Sequence, residues 1–98
     1  MVTFDPNKKI VLETDSSDFA IRACLSQLDK QGKLRLVAYY SRKLSLAELN
    51  YDIHDKELLA IVVAMEQWRV YLKGSTYPIQ VWTDYKNLIY FTTTKILN

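Results

Sequence analysis

Two apolar segments, each ending in an aspartate, flank a long segment with helical periodicity. The first segment spans residues 10–15 and ends in Asp15, and the second spans residues 79–84 and ends in Asp84. Both have the composition of buried β-strands. Glu57 lies near the start of the helical segment between them. If the strands are parallel neighbours, their aspartates emerge at one edge of the sheet, with backbones roughly 5 Å apart. The pattern predicts a mixed α/β sheet with acids gathered at one edge.

Turn-forming residues divide the first part of the chain into three strands. Residues 15–18 separate the first strand from a second over residues 19–28, and residues 29–32 separate the second from a third over residues 34–41. We expect these strands to form an antiparallel meander. Because the third strand of a meander runs in the same direction as the first, it ends at the edge where Asp15 lies.

Two helix start signals follow the third strand. Ser45 and Glu48 have the spacing of a capping box, which predicts a short helix near residues 46–49. Asp52 is a second cap, which predicts a long helix over about residues 53–73. The apolar residues expected on the buried side of the long helix recur at helical spacing: Leu58, Ile61, Met65, Trp68 and Leu72.

The helix is expected to cross one face of the sheet and lead into a fourth strand that is parallel to the first. Such crossovers are right-handed in nearly all proteins. The helix then begins at the upper edge, which puts Glu57 beside Asp15 and Asp84. Carboxylate oxygens without sulfur or imidazole ligands favour a hard cation such as Mg²⁺ or Mn²⁺. His54, the only histidine, is interpreted as a capping or surface residue rather than a ligand.

Composition indicates a single small domain over residues 1–98. About half of the residues are apolar, at 49%, which is enough for one core. The net charge of +2 does not by itself indicate a nucleic-acid partner. Cys24 is the only cysteine, so an internal disulfide is excluded and a reducing, intracellular compartment is indicated. The apolar stretches are too short to span a bilayer, so no membrane partner is expected.

Four blocks of the sequence occur together in the order of a known family. They are ETDSSDFA with CLSQ, YSRKLS, NYDIHDKELLAI and WTDYKNL. They resemble the ribonuclease H domain attached to reverse transcriptases of gypsy-type long-terminal-repeat retrotransposons. The resemblance implies a ribonuclease H-like fold with the sheet order 3-2-1-4-5. It also makes Asp15, Glu57 and Asp84 the counterparts of the first three catalytic carboxylates.

Three features depart from the pattern of that family. Arg22 stands where the family usually has a small residue, and Tyr85 stands where it usually has a histidine. The domain of the family also continues through a helix, a fifth strand and a last helix that carries a fourth acid. Residues 86–91 are expected to begin another short helix, and we therefore expect a partial domain that lacks the fifth strand and the last helix. Without the fourth acid, the chain alone is expected to have weak or no activity.

The resemblance implies a metal-dependent endonuclease that hydrolyses the RNA strand of RNA·DNA hybrids during retrotransposon reverse transcription. Two Mg²⁺ or Mn²⁺ ions about 4 Å apart would be held by the acids. Asp15 would bridge both ions, while Glu57 and Asp84 would each complete one. The implied partner is the polymerase domain of the parent polyprotein, in the cytoplasm, a retrotransposon particle or the nucleus. Residues that would contact substrate phosphates, each equally explained as a solvated surface residue, are Arg42, Lys43, Lys86 and Asn87.

Two other interpretations remain open from the sequence. One is a catalytically inactive scaffold or interaction module that self-associates. Without a fifth strand, the fourth strand, with Ile79, Val81 and Thr83, would be an unpaired edge that favours a homodimer. The other is that the acids only cap helices and strands. That suits Asp18 and Asp55 but leaves three acids at one edge unexplained.

Overall fold

The fold is a five-stranded sheet with helices that connect its third and fourth strands. The computed structural model describes residues 2–75, 77–83 and 89–92. The strands lie in the order β3-β2-β1-β4-β5. In chain order the elements are β1 (Ile10–Ser16), β2 (Ala20–Leu28), β3 (Leu34–Lys43), a 3₁₀ turn (Glu48–Asn50), α1 (Ile53–Gln67), α2 (Arg69–Lys73), β4 (Ile79–Trp82) and β5 (Ile89–Thr92).

The strand directions confirm the predicted mixed α/β fold. β2 is antiparallel to both β1 and β3, and β4 is parallel to β1 with Glu13 opposite Trp82. The antiparallel meander arises because tight turns join its strands. In the turn between β2 and β3, Gly32 has a φ of 82°, and its N–H donates to the carbonyl of Asp29 over 3.1 Å. Glycine adopts such a left-handed conformation without steric cost.

One prediction about the sheet is wrong. Ile89–Thr92 forms a fifth strand antiparallel to β4, where the sequence predicts a helix over residues 86–91 and no fifth strand. Residues 86–88 and 93–98 lie outside the described residues. Pairing with β4 supplies backbone hydrogen bonds that a local pattern does not reveal. Since β5 covers the outer side of β4, the fourth strand is not an unpaired edge. The predicted homodimer through strand four therefore loses its structural basis.

The predicted signals at the start of the helical part are confirmed. Ser45 Oγ accepts from the Glu48 N–H over 3.2 Å, and Glu48 Oε1 accepts from the Ser45 N–H over 2.8 Å. This is a reciprocal capping box, although the helix it begins is only the 3₁₀ turn Glu48–Asn50. Asp52 caps α1, because its Oδ1 accepts from the Asp55 N–H over 2.8 Å.

The long helix predicted over residues 53–73 is divided at Trp68. This residue has φ −115° and ψ 27°, outside helical geometry, and α2 begins directly after it. The buried face also differs from the prediction. Leu58 is 43% exposed, whereas Trp68 and Leu72 are buried as expected. The residues of α1 that are fully buried are Lys56, Ala60 and Ala64.

The core lies between the sheet and the helices. Its main cluster of buried residues comes from the central strands and the helices: Ile10, Leu12, Ala23, Leu25, Ala64, Trp68, Leu72, Ile79 and Val81. A second cluster joins α1 to β2 and to the chain after β3: Ile21, Leu44 and Ala60. Full burial of an aliphatic side chain contributes about 1.5–3 kcal/mol. The core therefore fixes α1 across β1 and β2. In the part of the chain that the structure describes, no helix has the length and apolarity that a membrane span requires.

Candidate metal centre

Asp15 lies near the carboxyl end of β1, on the face of the sheet opposite the helices. Alternation along β1 buries Ile10, Leu12 and Thr14 under α1 and directs Asp15 to the other side. Asp15 Oδ2 accepts a hydrogen bond from Arg22 Nη2 over 2.7 Å. Oδ1 accepts from the N–H of Ser16 over 2.9 Å. Both oxygens of the Asp15 carboxylate therefore have donors in this structure.

Glu57, the second predicted acid of the candidate centre, has an environment that differs from that of Asp15. It is the fifth residue of α1, and its side chain is only 15% exposed. Oε2 is buried and accepts no hydrogen bond from the described residues. Nδ1 of His54 lies 3.9 Å from this oxygen. A buried carboxylate oxygen without a donor is costly, and a bound cation would compensate for that cost.

The N-terminus of α1 is fixed at the carboxyl end of β1. Lys56 is buried, and its Nζ donates to the carbonyl of Asp18 over 3.2 Å. Asp18 lies in the turn between β1 and β2, so this hydrogen bond joins the residue beside Glu57 to the turn after Asp15. Lys56 was not among the site residues predicted from the sequence, because a lysine in the first turn of a helix usually has a solvated side chain.

α1, which carries Glu57 near its start, packs mainly on β1 and β2. Ile61 and Met65, which follow Glu57 at helical spacing, pack against the main core cluster. Lys56 and Ala60 lie on the neighbouring side, where Ala60 packs in the cluster with Ile21 of β2. The hydrogen bond from Lys56 to Asp18 therefore brings the start of α1 close to the carboxyl end of β1.

The third predicted acid, Asp84, lies outside the described residues, as do Lys86 and Asn87. Within residues 2–75, 77–83 and 89–92, no group of three or more His, Cys, Asp or Glu side chains is arranged to hold a metal. The roles of Asp15, Glu57 and Asp84 as metal ligands remain predictions.

The predicted phosphate-binding residues on β3 differ in availability. Arg42 donates to both carboxylate oxygens of Glu48, over 2.8 and 3.1 Å. This pair lowers the pKa of Glu48 from 4.5 to about 2, with the hydrogen bond from Arg42 as the largest cause. Arg42 of β3 thus binds the same Glu48 that forms the capping box with Ser45. Lys43, the last residue of β3, is exposed and stays available for a phosphate.

Arg22, which departs from the pattern of the family, contacts the Asp15 carboxylate. It stands directly opposite Asp15 in the antiparallel register of β1 and β2. The hydrogen bond from its guanidinium to Asp15 is the main cause that raises the pKa of Arg22 above its ordinary value. Counting the hairpin register outward from the turn at residues 17–19 would have placed Arg22 opposite Asp15, seven residues earlier in the sequence.

The sheet order β3-β2-β1-β4, with β4 parallel to β1 and a crossover helix between β3 and β4, is typical of an RNase H-like domain. Comparison with known families agrees: the model of the RNase H-like domain found in reverse transcriptase matches residues 5–98, and the chain belongs to this family. The family resemblance and the fold class predicted from the sequence are thereby confirmed.

The chain is also similar in sequence to individual transposon polyproteins. It is 50% identical over 86 residues to the Transposon Tf2-3, Tf2-4 and Tf2-5 polyproteins of Schizosaccharomyces pombe. The matched region is 88% of this chain but 6% of each polyprotein. The chain therefore spans about 6% of the length of these curated relatives.

Proposed function

We propose that this domain is a metal-dependent endonuclease that hydrolyses the RNA strand of RNA·DNA hybrids during retrotransposon reverse transcription. Membership of the RNase H-like family supports a hydrolase of this class. Its similarity to transposon polyproteins supports a role beside a polymerase domain of the same polyprotein. The reaction would take place where reverse transcription occurs, in the cytoplasm, a retrotransposon particle or the nucleus.

The observation that carries this proposal is the state of Glu57. Its buried Oε2 has no hydrogen-bond donor among the described residues, and the neighbouring Lys56 fixes the start of α1 to Asp18 in the turn after β1. The parallel register adds support for the other two acids. Glu13 is opposite Trp82, and Asp15 and Asp84 each follow two residues later in the sequence. The residues present therefore fit a pair of Mg²⁺ or Mn²⁺ ions, which have a preference for carboxylate oxygen.

In the proposed reaction, Asp15, Glu57 and Asp84 would hold the metal ions through their carboxylate oxygens. When bound, such ions supply a water nucleophile at neutral pH and stabilise the charge on the departing oxygen. The protein contributes orientation, since Lys56 and the core fix the start of α1 and hence Glu57. Discrimination of RNA from DNA requires a contact with the 2′-hydroxyl, for which Glu57 is the candidate. Lys43, Lys86 and Asn87 would bind phosphates, and Arg42 would do so only after release from Glu48.

Cleavage of a hybrid labelled on its RNA strand tests this proposal. We expect slow, Mg²⁺-dependent cleavage, no cleavage of double-stranded DNA, and no cleavage with chelator. Glu57→Gln, Asp15→Asn and Asp84→Asn should each reduce the rate at least about 100-fold. Loss of a metal ligand should lower activity at least as much as loss of a residue that only orients a ligand. Long incubations with Mn²⁺ as well as Mg²⁺ make a weak rate measurable.

The matched control is Glu66→Gln, which removes an exposed acid from the same helix and should leave the rate unchanged. Unchanged cleavage by Glu57→Gln, or cleavage that persists in chelator, would contradict the proposed mechanism. Absence of both cleavage and Mn²⁺ binding in the unmodified chain would contradict the function itself.

A further inference from the structure

The ion pair between Asp15 and Arg22 occupies a ligand position of the proposed metal centre. The two residues are direct partners in the register of β1 and β2, and Arg22 Nη2 lies 2.7 Å from Asp15 Oδ2. The remaining oxygen of the carboxylate accepts from its neighbour Ser16. A guanidinium therefore stands where a metal ion would approach Asp15.

The surroundings of this pair are open and carry excess negative charge. Asp15 and Arg22 line a groove of about 230 Å³ on the face of the sheet away from the helices, together with Glu13, Cys24 and Tyr39. Two carboxylates and one guanidinium border this groove, which leaves one negative charge in excess. The side chains of Arg22 and Asp15 are 58% and 48% exposed. Exposed ion pairs of this kind are weak and are readily exchanged for another partner.

An arginine in this position cannot be removed by a change in pH. Its guanidinium remains protonated throughout the physiological range, and the hydrogen bond to Asp15 raises its pKa further. Only a competing cation can then release the carboxylate. Glu57 differs, since its buried Oε2 has no hydrogen-bond donor among the described residues.

We propose that Arg22 is an internal competitor for the divalent cation at Asp15, so that its guanidinium leaves Oδ2 when the metal binds. This inference rests on the proposed function. Arg22 is a positioning residue in this account: before metal binds, it holds the Asp15 carboxylate in place and offsets its charge. The consequence is a weaker affinity for metal than the same acids would have without Arg22.

Titration of the chain with MnCl₂, followed by the electron paramagnetic resonance signal of free Mn²⁺, measures this competition without any need for activity. Arg22→Gln removes the charge and keeps a similar length. We expect its Kd for Mn²⁺ to fall about five- to tenfold, because the ion no longer has to displace a guanidinium that is hydrogen-bonded to the Asp15 carboxylate. In the background of Asp15→Asn the same change should produce less than about a twofold effect, because the contested carboxylate is absent.

A matched control is Arg35→Gln, since Arg35 is similarly exposed and pairs with Asp29 over 2.8 Å near the opposite end of β2. This variant should leave the affinity unchanged. In a second measurement, the side-chain N–H signals of Arg22 in the unmodified chain should shift during a Mg²⁺ titration with the same midpoint as the backbone signal of Ser16.

The outcomes separate the two proposals. If the unmodified chain binds Mn²⁺ and Arg22→Gln binds it no more tightly, the competition is refuted while the metal centre stands. If the gain persists in the background of Asp15→Asn, Arg22 acts only through the general field and the inference is again refuted. If no variant binds Mn²⁺, the proposed function and this inference fail together.

Discussion

At the scale of single residues, the two described acids of the candidate centre differ in how their charge is compensated. Asp15 is half-exposed and holds two donors, whereas Glu57 is nearly buried and its Oε2 has none among the described residues. The sequence predicted both as ligands, because position at a strand end and position in a helix are visible in a local pattern. It could not predict their different partners, which depend on strand register and on the rotation of α1.

Glu48, an acid outside the predicted ligand set, provides a test of its ion pair with Arg42. Its pKa is about 2 in the folded chain against an ordinary value of 4.5. Because the folded pKa is depressed, the stabilisation by Glu48 is present above pH 4.5 and is lost as the pH falls toward about 2. We expect Glu48→Gln to lower the free energy of unfolding near neutral pH, with a difference from the unmodified chain that disappears across this window.

Urea unfolding at several pH values measures this difference. Arg42→Met removes the partner that lowers the pKa and should produce a loss in the same pH window. A difference between Glu48→Gln and the unmodified chain that is independent of pH would show that the pair with Arg42 does not stabilise the fold.

At the scale of elements, local capping signals were predictive and non-local pairing was not. The caps at Ser45 and Asp52 act through neighbouring backbone N–H groups, so sequence alone identifies them. The strand Ile89–Thr92 was predicted as a helix, because its conformation is set by pairing with β4 rather than by its own pattern. The break at Trp68 was also missed, since neither glycine nor proline marks it.

The cap at the start of α1 positions Glu57 and gives a prediction at this scale. Asp52→Ala removes the acceptor for the Asp55 N–H and should lower the free energy of unfolding by about 1 kcal/mol. Asp52→Asn keeps an acceptor at this position and should restore most of that stability. Thermal or urea unfolding measures both effects.

Asp55→Ala is the control for charge in the same turn. Asp55 is exposed and does not cap the helix, so its loss should cost only about 0.3 kcal/mol through the helix dipole. Equal destabilisation by Asp52→Ala and Asp55→Ala would show that charge in the first turn, rather than the cap, stabilises α1.

At the scale of the whole molecule, the topology is what brings distant parts of the chain to one edge. The parallel pairing of β1 and β4 requires α1 to return across the sheet, and the hydrogen bond from Lys56 to Asp18 fixes the start of that return. The sequence predicted this arrangement because each step follows from strand order and the handedness of crossovers. It did not predict the fifth strand, and so it wrongly assigned β4 to an open edge.

The most direct test of the central claim is a crystal structure of the chain soaked with MnCl₂, with manganese located by its anomalous scattering. The account predicts at least one ion bound by oxygen atoms of Glu57 and Asp15 at roughly 2.1–2.2 Å, with Asp84 in the same ligand set and Arg22 displaced from Asp15. The account would be contradicted by a fully soaked crystal in which Glu57 carries no ion and Arg22 remains on Asp15.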